Sequence, residues 1–304
     1  MLTVVLHLGQ PVQPHDLWRA WNLDPFVVGG LILVGWAYRR GRRRGPGRNL
    51  DRRREKYFVA ALTAVAVALI SPLDAASGSL ASAHMIQHVL LVVVAAPLMA
   101  SAAPGSALFR SGSGALRRAV TGWRRRLRLT RGNLAVLQSP GLVWLLHVVT
   151  VWFWHAAGPY EAALSSDALH AVEHLSFLVT GFLFWRVVVG LPGTVRVSGG
   201  HGALLVFAMS LQGVFLAALL TFASSPWYPT YATSTQGWGI SPLDDQRLAG
   251  LIMWMPAGLV YLGVALALML DWVGGGSGAE DARPVDATMF ESFPDSDPPS
   301  GAGR

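Results

Sequence analysis

Seven long apolar runs, set apart by short polar segments, decide most of what this chain can fold into. They occupy residues 25–38, 57–70, 80–100, 141–154, 169–189, 203–222 and 248–272. A helix needs about 20 residues to cross the hydrocarbon layer of a bilayer. Runs 25–38, 57–70 and 141–154 fall short of that and reach it only with flanking apolar residues such as Trp21, Leu23, Leu73 and Leu137. Apolar types make up 52% of the 304 residues and charged types 13%, against about 25% charged in a soluble domain. These proportions exclude a disordered chain and argue against a water-soluble globule. The expected class is an all-α, polytopic membrane bundle of about seven transmembrane helices.

The basic residues sort by segment. Of the 24 Lys and Arg, 22 fall in alternate connections or the C-terminal tail: a run from Arg39 to Lys56, a second from Arg110 to Arg131, then Arg186, Arg196, Arg283 and Arg304. Only Arg19 and Arg247 fall on the other side. Basic loops stay in the cytoplasm, so the N-terminus is expected outside and the C-terminus inside. Topology and attraction to anionic headgroups account for the Arg runs. The net charge of +7 therefore does not call for nucleic acid as a partner. The chain divides into an extracytoplasmic tail (1–24), a membrane domain (25–273) and a Gly-, Ser-, Asp- and Pro-rich cytoplasmic tail (274–304) expected to be disordered. The first 25 residues do not read as a cleaved signal, since no basic segment precedes the short apolar stretch. Ser71-Pro72-Leu73-Asp74 and Ser241-Pro242-Leu243-Asp244 echo one another and read as two helix-start turns. Without any cysteine, disulfides, thiolate metal sites and Cys-based redox chemistry are excluded.

The histidines gather on the outer side. His84 and His88 lie in the third run, His147 and His155 in the fourth, His170 and His174 at the start of the fifth, and His7 and His15 in the outer tail. Both His84/His88 and His170/His174 are i, i+4 pairs, so each projects from one helix face. Imidazoles one turn apart chelate a metal, and neutral imidazole suits Cu, Zn, Fe or Ni. At similar depth lie Asp74, Glu161, Asp167 and Glu173, with Met85, Met253 and Met255 in the runs. A carboxylate fixes the tautomer of a ligand His, and a thioether favours Cu(I). The plainer alternatives stand beside these. His147 is off the face of His155 and reads as a hydrogen-bond partner to a neighbouring helix, and His201 as a loop residue. Met fills gaps in packed helices, which suffices for Met253 and Met255. Phosphate loops, a nucleophile elbow and H-E-x-x-H are all missing, so the chain is not expected to be an enzyme.

His84-Met85-Ile86-Gln87-His88-Val89-Leu90-Leu91, followed by Ala95-Ala96-Pro97-Leu98, resembles the H-M-x-Q-H-x-L-L…P-L signature of the CtaG family of cytochrome c oxidase assembly factors. Trp154-His155, Tyr160-Glu161-Ala162-Ala163-Leu164, His170…Glu173-His174 and Phe184-Trp185 resemble a second block of that family. Asp245-Gln246, Ala249 to Trp254 and Pro256 resemble a third. The resemblance implies a multi-pass protein of the bacterial plasma membrane that serves the assembly of haem-copper oxidase, with oxidase subunits as partners. It implies copper supply to the oxidase, and the residues expected to hold the metal, as Cu(I), are the outer-side His84, His88, His155, His170 and His174, with Met85, Asp74, Glu173, Met253 and Met255 in support. Two other classes stay open at this point: a b-type haem protein, because paired membrane His ligate haem, and an ion transporter, although midplane polar residues are few.

Overall fold

The computed structural model describes residues 12–45, 52–126, 139–190 and 197–277. Their regular structure is entirely helical. The elements are α1 (Pro25–Arg43), α2 (Arg52–Ile70), α3 (Pro72–Ser77), α4 (Ala81–Ala102), α5 (Gly105–Ser111) and α6 (Gly114–Arg126). They continue with α7 (Pro140–His155), α8 (Ala157–Leu164), α9 (Asp167–Val189), α10 (Gly199–Thr221) and α11 (Pro242–Ser277). Each of the seven apolar runs is a helix. Among the described residues, α4, α9, α10 and α11 are long and apolar enough to cross a membrane, and the pair α7–α8, bent by 72°, makes a fifth if it counts as one span. The 19-residue helices α1 and α2 carry arginines in their last and first turns, respectively, which shortens the apolar part of each. Residues 1–11 of the expected outer tail and 278–304 of the expected cytoplasmic tail lie outside the described residues. The helix α11 runs to Ser277, past the expected boundary at 273.

Local chemistry sets the helix ends. Asp24 caps α1 by accepting from Phe26 N at 2.6 Å, with Pro25 at the first position. Ser71 caps α3 through Leu73 N at 3.2 Å, and Ser241 accepts from Asp244 N at 3.1 Å at the head of α11, so both Ser-Pro-Leu-Asp steps start helices. Gly190 ends α9 in the left-handed conformation, with φ 67°. Inside α4 the chain widens to a π-helix over Leu90–Ala95. Pro97, two residues beyond its end, brings no N–H and a bulky ring, and the wider turn makes room for it.

Large apolar side chains point outward along the whole bundle: Ile32, Val59, Leu145, Leu175, Leu211 and Leu259 are all exposed. Water penalises such a surface, whereas lipid does not. The interior is built from close helix approaches. A Cβ at Gly250 would lie 2.8 Å from Ala217 O, so α11 rests directly on the backbone of α10. A Cβ at Gly41 would overlap the carbonyl of Ala107, seating the C-terminus of α1 on α5.

The two ends of the bundle differ. At one, Arg110 Nε donates to Gly41 O and Arg44 donates to Ser111 O at 3.0 Å, which draws the two Arg-rich segments together. At the other, Asn22 N donates to Ile70 O and Asn22 Nδ2 to Asp74. The first turns of α4, α9 and α11 and the last turn of α7 belong to this second end, which holds the paired histidines.

Candidate metal centre

Three helices deliver the imidazoles. The first half of α4 carries His84 and His88, the last residue of α7 is His155, and the first half of α9 carries His170 and His174. Ring centroids lie 4.4 Å apart for His84–His88 and 4.2 Å for His170–His174. Between helices, His84 stands 5.1 Å from His170 and 5.8 Å from His174, and His88 stands 5.6 Å from His155. The five rings form one cluster, and all but the half-buried His170 are buried.

Glu173 is fully buried among them. Its Oε2 lies 3.6 Å from His84 Nε2 and its Oε1 3.5 Å from His88 Nε2. Both separations are too long for good hydrogen bonds. They approach the roughly 3.3 Å that separates two ligands held about 2.0 Å from one tetrahedral ion. One ligand atom each from His84, His170, Glu173 and His174 lies within 4.8 Å of the others. The decisive feature is satisfaction. Both nitrogens of His84 and of His88, Nε2 of His155, His170 and His174, and both oxygens of Glu173 are buried without a hydrogen-bond partner. A buried polar atom left unpaired costs about 1–3 kcal/mol. That many in one place is tolerable only where something else bonds to them. An ion satisfies lone pairs from every side at once.

Surrounding residues hold the rings in position. His155 Nδ1 donates to Val151 O at 2.7 Å, which leaves Nε2 as the lone-pair nitrogen turned to the cluster. Gln87, one residue before His88, donates to Ala68 O at 2.8 Å and to Asp74 Oδ1 at 2.9 Å. Asp74 thus ties α3 to α4 and to Asn22, and it serves as an anchor rather than as part of the compact donor group. Asp245, at the head of α11, receives Ala81 N at 2.6 Å, Ser82 N at 3.2 Å and Ser82 Oγ at 2.5 Å. It caps α4 from another helix, three residues before His84. The neighbouring Gln246 accepts from Trp227 N at 2.6 Å and donates to Leu220 O.

The segment between α10 and α11 covers the cluster. Tyr228 stacks on Tyr160 at 3.8 Å, and Tyr160 lies 5.0 Å from His84. Tyr228 donates to His155 O and Tyr231 to Ser77 O, each at 2.9 Å. With its proton committed there, Tyr231 accepts from Tyr160 at 3.2 Å. Burial pushes the Tyr228 and Tyr231 phenols well above their usual range, so both stay protonated donors. Thr230 clips the same segment to Glu161 through its N–H and hydroxyl.

The methionines divide. Met85 is buried against Tyr160, Tyr228 and Tyr231, and Met253 borders that packing. Met255 is 59% exposed on the outer face of α11, so its thioether faces away from the imidazoles. His147 Nδ1 meets Thr180 Oγ1 at 2.8 Å, the interhelical hydrogen bond expected for it. The Asp245 cap and the tyrosine cover had no signal in the sequence beyond the Asp245-Gln246 and Tyr160 steps themselves.

A family profile described as cytochrome c oxidase caa3 assembly factor matches residues 32–274. The chain belongs to that family. The match takes in every residue of the His/Glu cluster. Among curated proteins, the chain is 26% identical over 282 residues to the uncharacterized protein Mb0105 of Mycobacterium bovis, covering 87% of this chain and 41% of that one. The same values hold for the uncharacterized protein MT0111 of Mycobacterium tuberculosis. The chain thus spans about two fifths of the length of these curated relatives. No solved structure matches.

Proposed function

We propose that this caa3 assembly factor is a seven-span protein of the bacterial plasma membrane that captures copper at the His/Glu cluster and hands it to a haem-copper oxidase subunit. The observation that carries the reading is the set of buried, unpaired imidazole nitrogens and carboxylate oxygens converging from α4, α7 and α9. The Arg-rich end faces the cytoplasm and the histidine end faces outward. His170, the half-buried member, is where an ion enters and leaves. Imidazoles take copper readily. Glu173 offsets its charge inside a low-dielectric interior, where an uncompensated cation is costly. Nothing in this arrangement performs covalent chemistry, and the chain acts as a carrier rather than an enzyme. Tight ring-to-ring packing, with Phe177 4.5 Å from His88, favours a single ion over the planar macrocycle of haem.

The test is made in cells. Without the chain, the oxidase is expected to assemble with haem and little copper. A His84→Ala/His88→Ala variant that reaches the membrane at normal levels restores neither copper nor activity. A copper-replete oxidase in cells lacking the chain contradicts the proposal.

A further inference from the structure

Next to the His/Glu cluster, deeper along α4, lies a cavity of about 60 Å³. It exceeds the ~15 Å³ that a single water needs. Its lining includes His88, His147 and His155 together with three methionines, Met85, Met209 and Met253. Met209 is buried on α10, and Gln212 Nε2 reaches its carbonyl at 3.1 Å and its sulfur at 3.2 Å. Trp152 Nε1 in turn donates to Gln212 Oε1 at 2.9 Å, so this thioether is held in place. Thr180 Oγ1 gives its proton to Ser176 O at 2.7 Å. It therefore accepts from His147 Nδ1, which leaves Nε2 of His147 as the lone-pair nitrogen. His155 offers Nε2 in the same way, and His88 has two unpaired nitrogens. The donor character thus changes along the bundle: imidazole and carboxylate at the outer end, imidazole and thioether one step further in. Thioethers select soft monovalent ions.

We propose that this cavity is a second metal site, for a soft monovalent ion such as Cu(I), that exchanges its ion with the His/Glu centre across His88 and His155. The inference rests on reading the outer cluster as a copper centre and adds an inner station to it. The exchange is ligand substitution. The ion leaves Glu173 and the outer imidazoles and gains thioethers, while His88 and His155 stay bound to it, and no electron or proton is transferred. The inner site stores the ion in the form a partner's soft ligands accept, while the outer site gates its passage.

Silver(I) is the probe, since it mimics Cu(I) without redox chemistry. The chain has no cysteine, so any sulfur bonded to silver is methionine sulfur. The full chain, purified in detergent, loaded with silver and washed, is expected to retain about two ions, with sulfur among the neighbours seen by X-ray absorption. Met209→Leu/Met253→Leu, a nearly volume-conserving change, is expected to lose one ion and the sulfur signal and to keep the other. Silver without sulfur neighbours in the wild type, or an unchanged count in the variant, overturns the inner site and leaves the outer one standing. Failure of the wild type to retain any silver overturns both.

Discussion

The His84→Ala/His170→Ala variant is expected to lose copper affinity by more than about 100-fold while keeping its fold. Loss of a supporting partner outside the ligand set alone typically costs 10- to 100-fold, and this variant removes one ligand from each of the two paired helices. Each helix then keeps a single imidazole, His88 on α4 and His174 on α9, and both i, i+4 chelating pairs are lost. Stability should suffer little, because both nitrogens of His84 and Nε2 of His170 are buried without hydrogen-bond partners. Removing a buried group with an unmet polar demand relieves a penalty, which offsets part of the cavity left behind. Competition with a chelator of known Cu(I) affinity, beside a thermal melt in detergent, checks both halves. Unchanged affinity would show that the rings pack together for another reason.

The second large effect is expected at a residue that touches no imidazole. Asp245→Ala should destabilise the fold by about 3 kcal/mol, because it strands two buried N–H groups and a hydroxyl at the head of α4. In a chain of this size that lowers the melting midpoint by roughly 5 °C. Copper affinity should fall with it, since the fraying turn is the one that positions His84. Asp245→Asn keeps one acceptor and is expected to lie between the two. Bound copper should recover part of the loss in melting temperature for Asp245→Ala, because an ion that binds only the folded form stabilises it. A variant that melts as the wild type does would remove Asp245 from the account of how α4 is held.

What could be read from the sequence follows from what is local. Apolar runs report helices directly, and all seven are helices in the structure. An i, i+4 pair of histidines fixes a shared helix face before any fold is known, so His84/His88 and His170/His174 stood out. Tertiary partners were less accessible. Asp245 is 164 residues from Ala81, and no spacing rule connects the head of one helix to a carboxylate on another. Glu173 stood out only as one of several acidic residues at similar depth. Its place between the two pairs depends on how α4 and α9 face each other. The methionines show the limit of depth alone: Met253 and Met255 differ by two positions, yet Met255 turns outward while Met253 lines the interior. The break after His155 and the π-helix before Pro97 have visible causes in Gly158-Pro159 and Pro97, but only the fold shows which way the chain turns.

The most direct test of the central claim is the copper content of the purified protein. The wild-type chain, loaded with Cu(I) under reducing conditions and washed free of excess, should retain at least one copper per chain by mass spectrometry, and His84→Ala/His88→Ala should retain little. Copper-free wild-type protein, or equal copper in both forms, would contradict the assignment of the His/Glu cluster as a copper centre.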